Sequence, residues 1–310
     1  MGLFTRRRKS EECAGLHAEA TGTALVRIHS AATRNPVLKA SVFQAGDGQL
    51  PDSDAVDEMA RRIFATRNPL NVVLSSRDYQ LLMVEAPRVD ADELRAAIRW
   101  RVKDLIDFHI DDAVFDVFAV PGQQNRPRGQ ASMYAVAARA ARIQALVDSI
   151  GSSSLQLQVI DIQELAMRNL AALTDDDVRG TVMIQLGPAG GLLTISHQHE
   201  LYMTRQLELD AAAHEYGESS LFDHLLLEIQ RSIDYYGSHF GQPAPVGLSI
   251  LPGFERADEL AAWLADQLDQ NVEVFDITRH MKCETTPGDE GIDQQLIAIG
   301  GALRREEVAL

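Results

Sequence analysis

The stretch ADELRAAIRWRVKDLIDFHIDDAVFDVF, residues 91–118, joins an amphipathic helix to a strand through a short acidic turn. Its apolar residues recur at spacings of three and four, the pattern of a helix with one buried face. This apolar stripe consists of Leu94, Ala97, Ile98, Val102 and Leu105. A basic row at a spacing of four runs beside it, with one aromatic residue at its edge: Arg95, Arg99 and Lys103, and Trp100.

The basic row and Trp100 are a candidate partner-binding surface, because the chain as a whole carries a formal net charge of -16. The alternative, weighted equally, is a solvated face whose charges form internal ion pairs. We expect the stretch as a whole to be a docking-type element and not a catalytic one.

Length and composition bound the class of protein. The 310 residues suffice for two domains, and 45% hydrophobic with 24% charged residues is typical of a soluble globular chain. The acidic balance argues against a nucleic-acid partner, because neutralising phosphates requires a basic surface. Cys13 and Cys283 lack the spacing of a disulfide framework or a metal site, which fits a reducing cytoplasm.

The N-terminus, MGLFTRRRK, has a charged start without a following apolar segment, so we do not expect a secretory signal. We expect residues 1–12 to be a flexible basic segment, with a composition suited to weak contact with anionic lipid. No apolar run approaches the roughly 20 residues that cross a bilayer.

Local patterns predict an alternation of strands and helices on both sides of the opening stretch. We expect a helix over about residues 54–66 with its N-cap at Asp52, Ser53 or Asp54, and a helix over 140–150 that ends at a left-handed Gly151. Residues 281–291 are expected to form a loop before a last helix at 294–304.

A faint internal repeat is visible when the two halves are aligned. Setting His17 against Gln185 places Gly22 on Gly190, so both halves open with strand, loop, strand. Chance similarity explains the alignment equally well, because this motif is common.

Three segments together resemble one known family. Residues 79–118, which contain YQLLMVEAP and RWRVKDLIDF, resemble the inserted subdomain of the PilM group of type IV pilus assembly proteins. LLLEIQRSIDYYGSHF, residues 225–240, is similar to that group's long helix, and LIAIGGALR, residues 296–304, to its closing helix. Within the group, the similarity is strongest to the branch that serves the mannose-sensitive haemagglutinin (MSHA) pilus.

The resemblance implies an actin-like two-lobed α/β fold of the FtsA and PilM type, with an inserted α/β subdomain. The expected divisions are 13–78 for the first lobe, 79–150 for the inserted subdomain, 151–173 for the return to the first lobe, 174–292 for the second lobe, and 293–310 for a closing helix on the first lobe.

The sequence departs from the family where nucleotide would bind. Nucleotide-binding members begin each phosphate loop with Asp-Ile-Gly, whereas here the loops read His17-Ala18-Glu19 and Gln185-Leu186-Gly187. The adenosine loop keeps only Gly253, and Pro252 removes one amide donor. The residues at positions of the degenerate cleft are His17, Glu19, Gln185, Gly187, Gly190, Glu228, Arg231 and Gly253.

We therefore expect no catalytic residue, no metal site and no cofactor. The resemblance implies a non-catalytic scaffold at the cytoplasmic face of the inner membrane, which docks the cytoplasmic tail of a bitopic PilN-like partner beside the inserted subdomain and contacts other pilus platform components. One alternative is a PilM-like protein that still binds ATP through the backbone amides of residues 188–191. Another is the cytoplasmic domain of a GspL-like type II secretion protein, a family with a transmembrane helix after this domain.

Overall fold

A computed structural model describes residues 12–29, 35–46, 48, 51–87, 89–90, 93–123, 131–187, 190–209 and 218–304. The predicted basic N-terminus lies outside these residues except for Glu12, which begins the first strand.

The strands of the described residues, in chain order, are β1 (Glu12–Glu19), β2 (Gly22–His29), β3 (Val37–Ala45), β4 (Pro69–Val73), β5 (Tyr79–Glu85), β6 (Ala113–Ala119), β7 (Ser132–Arg139), β8 (Gln156–Asp161), β9 (Thr181–Gly187), β10 (Gly190–His197), β11 (Glu200–Leu207), β12 (Gly247–Ile250), β13 (Asn271–Val274) and β14 (Lys282–Cys283). The helices are α1 (Ser53–Arg62), α2 (Leu94–Val102), α3 (Ala140–Gly151), α4 (Gln163–Ala171), α5 (Glu218–Phe240), α6 (Ala257–Ala265), α7 (Ile277–His280) and α8 (Ile292–Ala302).

The strands form three sheets. The first-lobe sheet has the order β14-β3-β2-β1-β4-β8, the second-lobe sheet β11-β10-β9-β12-β13, and the inserted sheet β5-β7-β6. In both lobes three antiparallel strands continue into two parallel ones. The predicted repeat is confirmed in this topology, since β2 and β10 start at Gly22 and Gly190 and end at His29 and His197.

The closing helix α8 packs against the first-lobe sheet and α4, and it does so through glycines. A Cβ on Gly15 would overlap the carbonyl oxygen of Ala298, and one on Gly300 would overlap the carbonyl oxygen of Ala166. The close approach is fixed by polar contacts, because the Asn71 side-chain amide donates to the carbonyl oxygen of Gly301 at 3.0 Å. Side chains from both lobe sheets meet α4 and α8 in one core.

The return to the first lobe begins earlier than residue 293. Residues 282–283, expected to lie in a loop of the second lobe, form β14 and pair in parallel with β3 of the first-lobe sheet. A two-residue strand has no periodicity from which to predict it.

The inserted subdomain is a sheet covered by α2. Ile98 and Val102 are fully buried against this sheet, as the apolar stripe predicts. The prediction that Leu105 belongs to the buried stripe is wrong. Leu105 is 55% exposed, because α2 ends at Val102 and the helical spacing no longer holds beyond it.

Two helix ends test the capping predictions. The α1 helix starts as expected, with the Asp52 side chain accepting from the amide of Ala55. The predicted left-handed cap at Gly151 is wrong, because α3 includes Gly151 and its C-cap Ser152 is right-handed. None of the helices among the described residues is long and apolar enough to cross a membrane.

Candidate functional site

The first phosphate-loop position is a tight turn between β1 and β2. Only Ala20 and Thr21 separate the strands, with Glu19 paired opposite Gly22. Gly22 has a φ of +155°, and a Cβ there would overlap the carbonyl oxygen of Gln44. The turn is held from the other side by the Gln294 side-chain amide, which donates to the Thr21 hydroxyl at 2.7 Å.

His17 lies behind this turn and is fully buried. Its Nδ1 is 3.0 Å from the carbonyl oxygen of Val73, so this nitrogen carries the proton. Its Nε2 then accepts from the side-chain amide of Gln163 at 3.2 Å. Burial lowers the pKa of His17 below its ordinary value, against smaller opposing contributions from the Val73 carbonyl and the Glu19 charge. The residue is a neutral imidazole in the folded protein.

Glu19 uses both carboxylate oxygens inside the protein. Oε1 accepts from the Ser75 hydroxyl at 3.1 Å and from Arg77 at 3.3 Å. Oε2 accepts from the Gln163 side-chain amide at 3.1 Å. The donors that reach this turn are therefore bound to a carboxylate of the chain itself.

Gly253 lies in the same region of the cleft as Glu19, where it packs against α8. A Cβ on Gly253 would lie 2.8 Å from the Cβ of Asp293, so this backbone packs against the protein. Burial raises the pKa of Asp293, although the hydrogen bond from the backbone amide of Gln294 opposes this shift. Asp293 and Glu19 thus bring two carboxyl groups to this part of the cleft, and Arg77 balances the charge of Glu19.

The second turn repeats the geometry of the first. Gly187 pairs opposite Gly190, whose φ is +123° and whose Cβ would lie 2.9 Å from the carbonyl oxygen of Leu207. Gln185 belongs to β9 and is half-buried. Residues 188 and 189 of the turn lie outside the described residues.

Glu228 and Arg231 form an ion pair, and Arg205 joins it. The Glu228 carboxylate accepts from Arg205 and from Arg231, each at 2.8 Å. Burial would raise the pKa of Glu228, but the two arginines outweigh it and the pKa lies below its ordinary value. This cluster joins α5, which carries Glu228 and Arg231, to β11, which carries Arg205.

The donors at the first turn of the cleft are used within the protein. Phosphate sites present free backbone amides and cations to the ligand, usually with a metal ion. Here the donors at the first turn bind Glu19, and no group of three or more metal-ligating side chains occurs in the part of the chain that the structure describes.

A groove with a volume of about 970 Å³ lies beside the inserted subdomain. One wall is β6 with the residues that follow it, 114–123. The opposite wall comes from residues 160–162 with Leu165 and Arg168, and the turn at residues 199–201 and Arg304 complete it. Sequence reasoning could not locate this groove, because its walls come from segments far apart in the chain.

The groove combines an apolar lining with a few polar groups. Asp161 pairs with Arg304 at 2.9 Å, and its other oxygen is buried without a hydrogen-bond partner among the described residues. Burial raises the pKa of Asp161, while Arg304 opposes this shift. Val114 is 46% exposed on the opposite wall. Such a lining suits an apolar ligand that also donates hydrogen bonds.

The structure divides the predicted partner-binding residues. Arg95 lines the groove and pairs with Asp116 at 3.3 Å. Arg99 pairs instead with Asp111 at 2.5 Å, and the ammonium of Lys103 lies 5.7 Å from the centre of the Trp100 ring, which is 74% exposed. Arg95 and Arg99 therefore form internal ion pairs, as the alternative interpretation of the basic row predicts. Neither Arg99, Trp100 nor Lys103 lines the groove.

A buried pair connects the cleft to the inserted subdomain. The Tyr79 hydroxyl, at the start of β5, donates to Oε2 of Glu164 at 2.5 Å and accepts from the amide of Gln163 at 3.2 Å. Burial raises the pKa of Glu164 to about 7. The sequence gives no sign of this pair, since residues 79 and 164 are distant and neither belongs to a motif.

One protein-family model matches this chain. The family is described as "Type IV pilus assembly protein PilM", and its match covers residues 33–213, more than half of the chain. A search of curated proteins finds no match.

Solved structures show the same fold. The PilM-PilN type IV pilus biogenesis complex matches with a TM-score of 0.71 and 20% identity over 95% of this chain and 98% of that one. The cytoplasmic domain of EpsL, an inner membrane component of the type II secretion system of Vibrio cholerae, matches with a TM-score of 0.52 and 13% identity over 95% and 96%. A protein from Bacteroides thetaiotaomicron with an actin-like ATPase fold and unknown function matches with a TM-score of 0.51 and 8% identity over 96% and 99%. The predicted actin-like fold is therefore confirmed.

Proposed function

Because this chain belongs to the family of type IV pilus assembly proteins PilM, we propose that it is a non-catalytic scaffold of a pilus machine and docks a partner's tail in the groove beside β6. The partner we propose is a PilN-like bitopic inner-membrane protein, bound through its short cytoplasmic tail. Association with the cytoplasmic face of the inner membrane and contacts with other platform components would follow from this partner.

The position of β6 is the observation that carries this proposal. β6 is an edge strand of the inserted sheet, and consecutive residues along it line the groove. An edge strand presents unpaired backbone N–H and C=O groups, to which an extended peptide can add as a further strand. The apolar lining then selects apolar side chains of the peptide, and Asp161 offers an acceptor on the opposite wall.

The state of the cleft supports binding without catalysis. Glu19 occupies donors that a phosphate would need, and Gly253 packs against Asp293. Hydrolysis requires a metal ion and a phosphate group in fixed positions. The carboxylates of Glu19 and Asp293 would hinder the approach of the phosphate. We therefore propose that neither ATP binding nor turnover is part of the function.

The finer assignment is to the MshI branch, the PilM-like component of the MSHA pilus system. Its support is the similarity of YQLLMVEAP and RWRVKDLIDF to that branch. The alternative is a platform role in type II secretion, the system to which EpsL belongs. The likeness of this chain to EpsL concerns the fold alone.

Calorimetry with a synthetic peptide tests the docking. The peptide, called the tail peptide below, has the sequence of the cytoplasmic tail of a PilN-like protein from the same organism. Val114→Glu places a charge on the exposed groove wall and is expected to weaken binding at least tenfold.

Met83→Glu is the matched control, because Met83 is 39% exposed on β5, the other edge strand of the same sheet, and does not line the groove. Equal affinity of both variants and the unaltered protein would place the peptide elsewhere. Absence of binding by the unaltered protein would contradict the docking itself.

A further inference from the structure

The C-terminus of α1 carries an exposed aromatic residue in a backbone conformation that disfavours it. The amide of Ala65 donates to the carbonyl oxygen of Ala60 at 2.8 Å, and that of Phe64 to the carbonyl oxygen of Arg61 at 3.2 Å. These two bonds form a Schellman motif with Phe64 at the left-handed position, where its φ is +54°. Glycine is usual at this position because a Cβ is strained there.

Phe64 therefore combines two features that do not favour folding. Its backbone is left-handed, and its side chain is 79% exposed. A glycine or a polar residue would serve the helix end better, so the side chain is better explained by contact with something outside the chain.

Three arginines surround Phe64 in the sequence: Arg61, Arg62 and Arg67. All three are exposed. The charge of Arg61 acts on the Asp57 carboxylate of the same helix, and it contributes to the lowered pKa of Asp57. The neighbouring Asp57 carboxylate accepts from the amide of Ser154, and Glu58 is the exposed acidic residue one turn before the arginines. The segment thus places three exposed basic residues within seven positions of a chain of net charge -16.

The chain's own N-terminus leaves from the same place. Glu12 begins β1 beside the start of β4, and its carboxylate accepts from the side-chain amide of Asn68 at 3.4 Å. The eleven residues before it include three arginines and a lysine, residues 6–9, together with Leu3 and Phe4. Two basic segments with aromatic residues are thus joined to the chain at one end of the first-lobe sheet.

We propose that Phe64, Arg61, Arg62 and Arg67 form a contact site for an anionic lipid bilayer, with Phe64 entering the interface between the arginines. The opposite charges attract, since basic residues near an anionic leaflet gain from its surface potential. An exposed aromatic ring among them adds apolar burial at the headgroup level. This contact is direct and additional to any association through a partner.

The site is separate from the groove. Residues 160–162 line the groove at the carboxyl end of β8, whereas Arg67 and Asn68 precede the amino end of the neighbouring parallel strand β4. A defect in lipid binding and a defect in tail docking can therefore be distinguished by their variants.

Cosedimentation of the full chain with vesicles tests the site. We expect binding to vesicles that contain phosphatidylglycerol, little binding to pure phosphatidylcholine, and weakening by salt. The triple variant Arg61→Gln, Arg62→Gln, Arg67→Gln is expected to lose about a hundredfold in partitioning to the anionic vesicles.

Phe64→Gly separates function from folding. It removes the ring and suits the left-handed position, so we expect a higher Tm together with weaker vesicle binding. Trp100→Ser is its control, an exposed aromatic residue of the inserted subdomain.

The triple variant Arg101→Gln, Arg179→Gln, Arg279→Gln removes the same charge from ion-paired arginines elsewhere and should bind vesicles nearly as well as the unaltered protein. Equal loss in both triple variants, or no preference of the unaltered protein for anionic vesicles, would overturn the proposal.

Discussion

The Gln163 side-chain amide donates to the Glu19 carboxylate at 3.1 Å, and this bond joins the start of α4 to the end of β1. The same amide reaches Nε2 of His17 at 3.2 Å. One buried side chain therefore holds the groups that replace an aspartate and a glycine at the first turn.

Replacement of this amide should destabilise the fold. Gln163→Leu leaves Glu19 and His17 without their shared donor, which we expect to cost roughly 1–3 kcal/mol in the free energy of unfolding. Urea denaturation measures the loss. Gln80→Leu is the control, since the Gln80 Oε1 is buried without a partner among the described residues, and this change should be neutral or stabilising. Equal losses in the two variants would contradict the structural role of Gln163.

Glu164 should make stability depend on pH. Burial raises its pKa from an ordinary value of 4.5 to about 7 in the folded protein, so the folded state binds the proton more tightly than the unfolded state. This contribution to stability is fully present below about pH 4.5 and is lost as pH rises to about 7. Glu164→Gln removes it.

The comparison is made by urea denaturation at about pH 5 and about pH 8. Relative to the unaltered protein, Glu164→Gln should gain stability at the higher pH, by an amount on the order of 3 kcal/mol. His17, whose pKa is lowered, destabilises the fold as pH falls below 6.5, but it is present in both proteins and cancels. A difference that is the same at both pH values would refute the shifted titration of Glu164.

Gly15 should tolerate no side chain. A Cβ there overlaps the Ala298 carbonyl oxygen of α8, so Gly15→Ala must push the closing helix from the first-lobe sheet, at a cost of about 1–3 kcal/mol or more. Gly151→Ala is the control within a helix, where nothing lies within 4 Å, and should stabilise by about 0.5–1 kcal/mol. Thermal unfolding of the two variants should show shifts of opposite sign.

Arg95 and Arg99 should differ in their effect on tail binding. Arg95→Glu opposes Asp116 on the groove wall with a like charge and should weaken binding of the tail peptide severalfold. Arg99→Glu alters an exposed pair outside the groove and should leave it nearly unchanged, with an effect on stability of at most about 1 kcal/mol. Calorimetry compares the two. If Arg99→Glu causes the larger loss of affinity, the outer face of α2 binds the partner.

Much of the fold follows from local patterns. The apolar stripe predicted the buried Ile98 and Val102, and the repeat predicted the matching hairpins of the two lobes. These predictions succeed because periodicity and turns depend on residues that are close together in the sequence. The cap at Gly151 failed because glycine can also occupy the last helical position, and here the right-handed Ser152 is the C-cap of α3.

The site was harder to predict because its partners are distant in sequence. Substitution of the loop residues indicated a weak nucleotide site, but not that Glu19 would bind Ser75 and Gln163. The groove depends on how the inserted sheet meets the first lobe. Phe64 gave no signal either, since its left-handed position opposes the usual preference for glycine.

Titration of the tail peptide with and without Mg-ATP tests the central claim most directly. We predict the same affinity in both titrations, because the groove is lined by β6 and the first lobe, whereas Gln163 donates to Glu19 at the first turn of the cleft. We also predict no heat of binding for millimolar Mg-ATP alone. Peptide binding that requires Mg-ATP, or micromolar binding of Mg-ATP itself, would contradict the account.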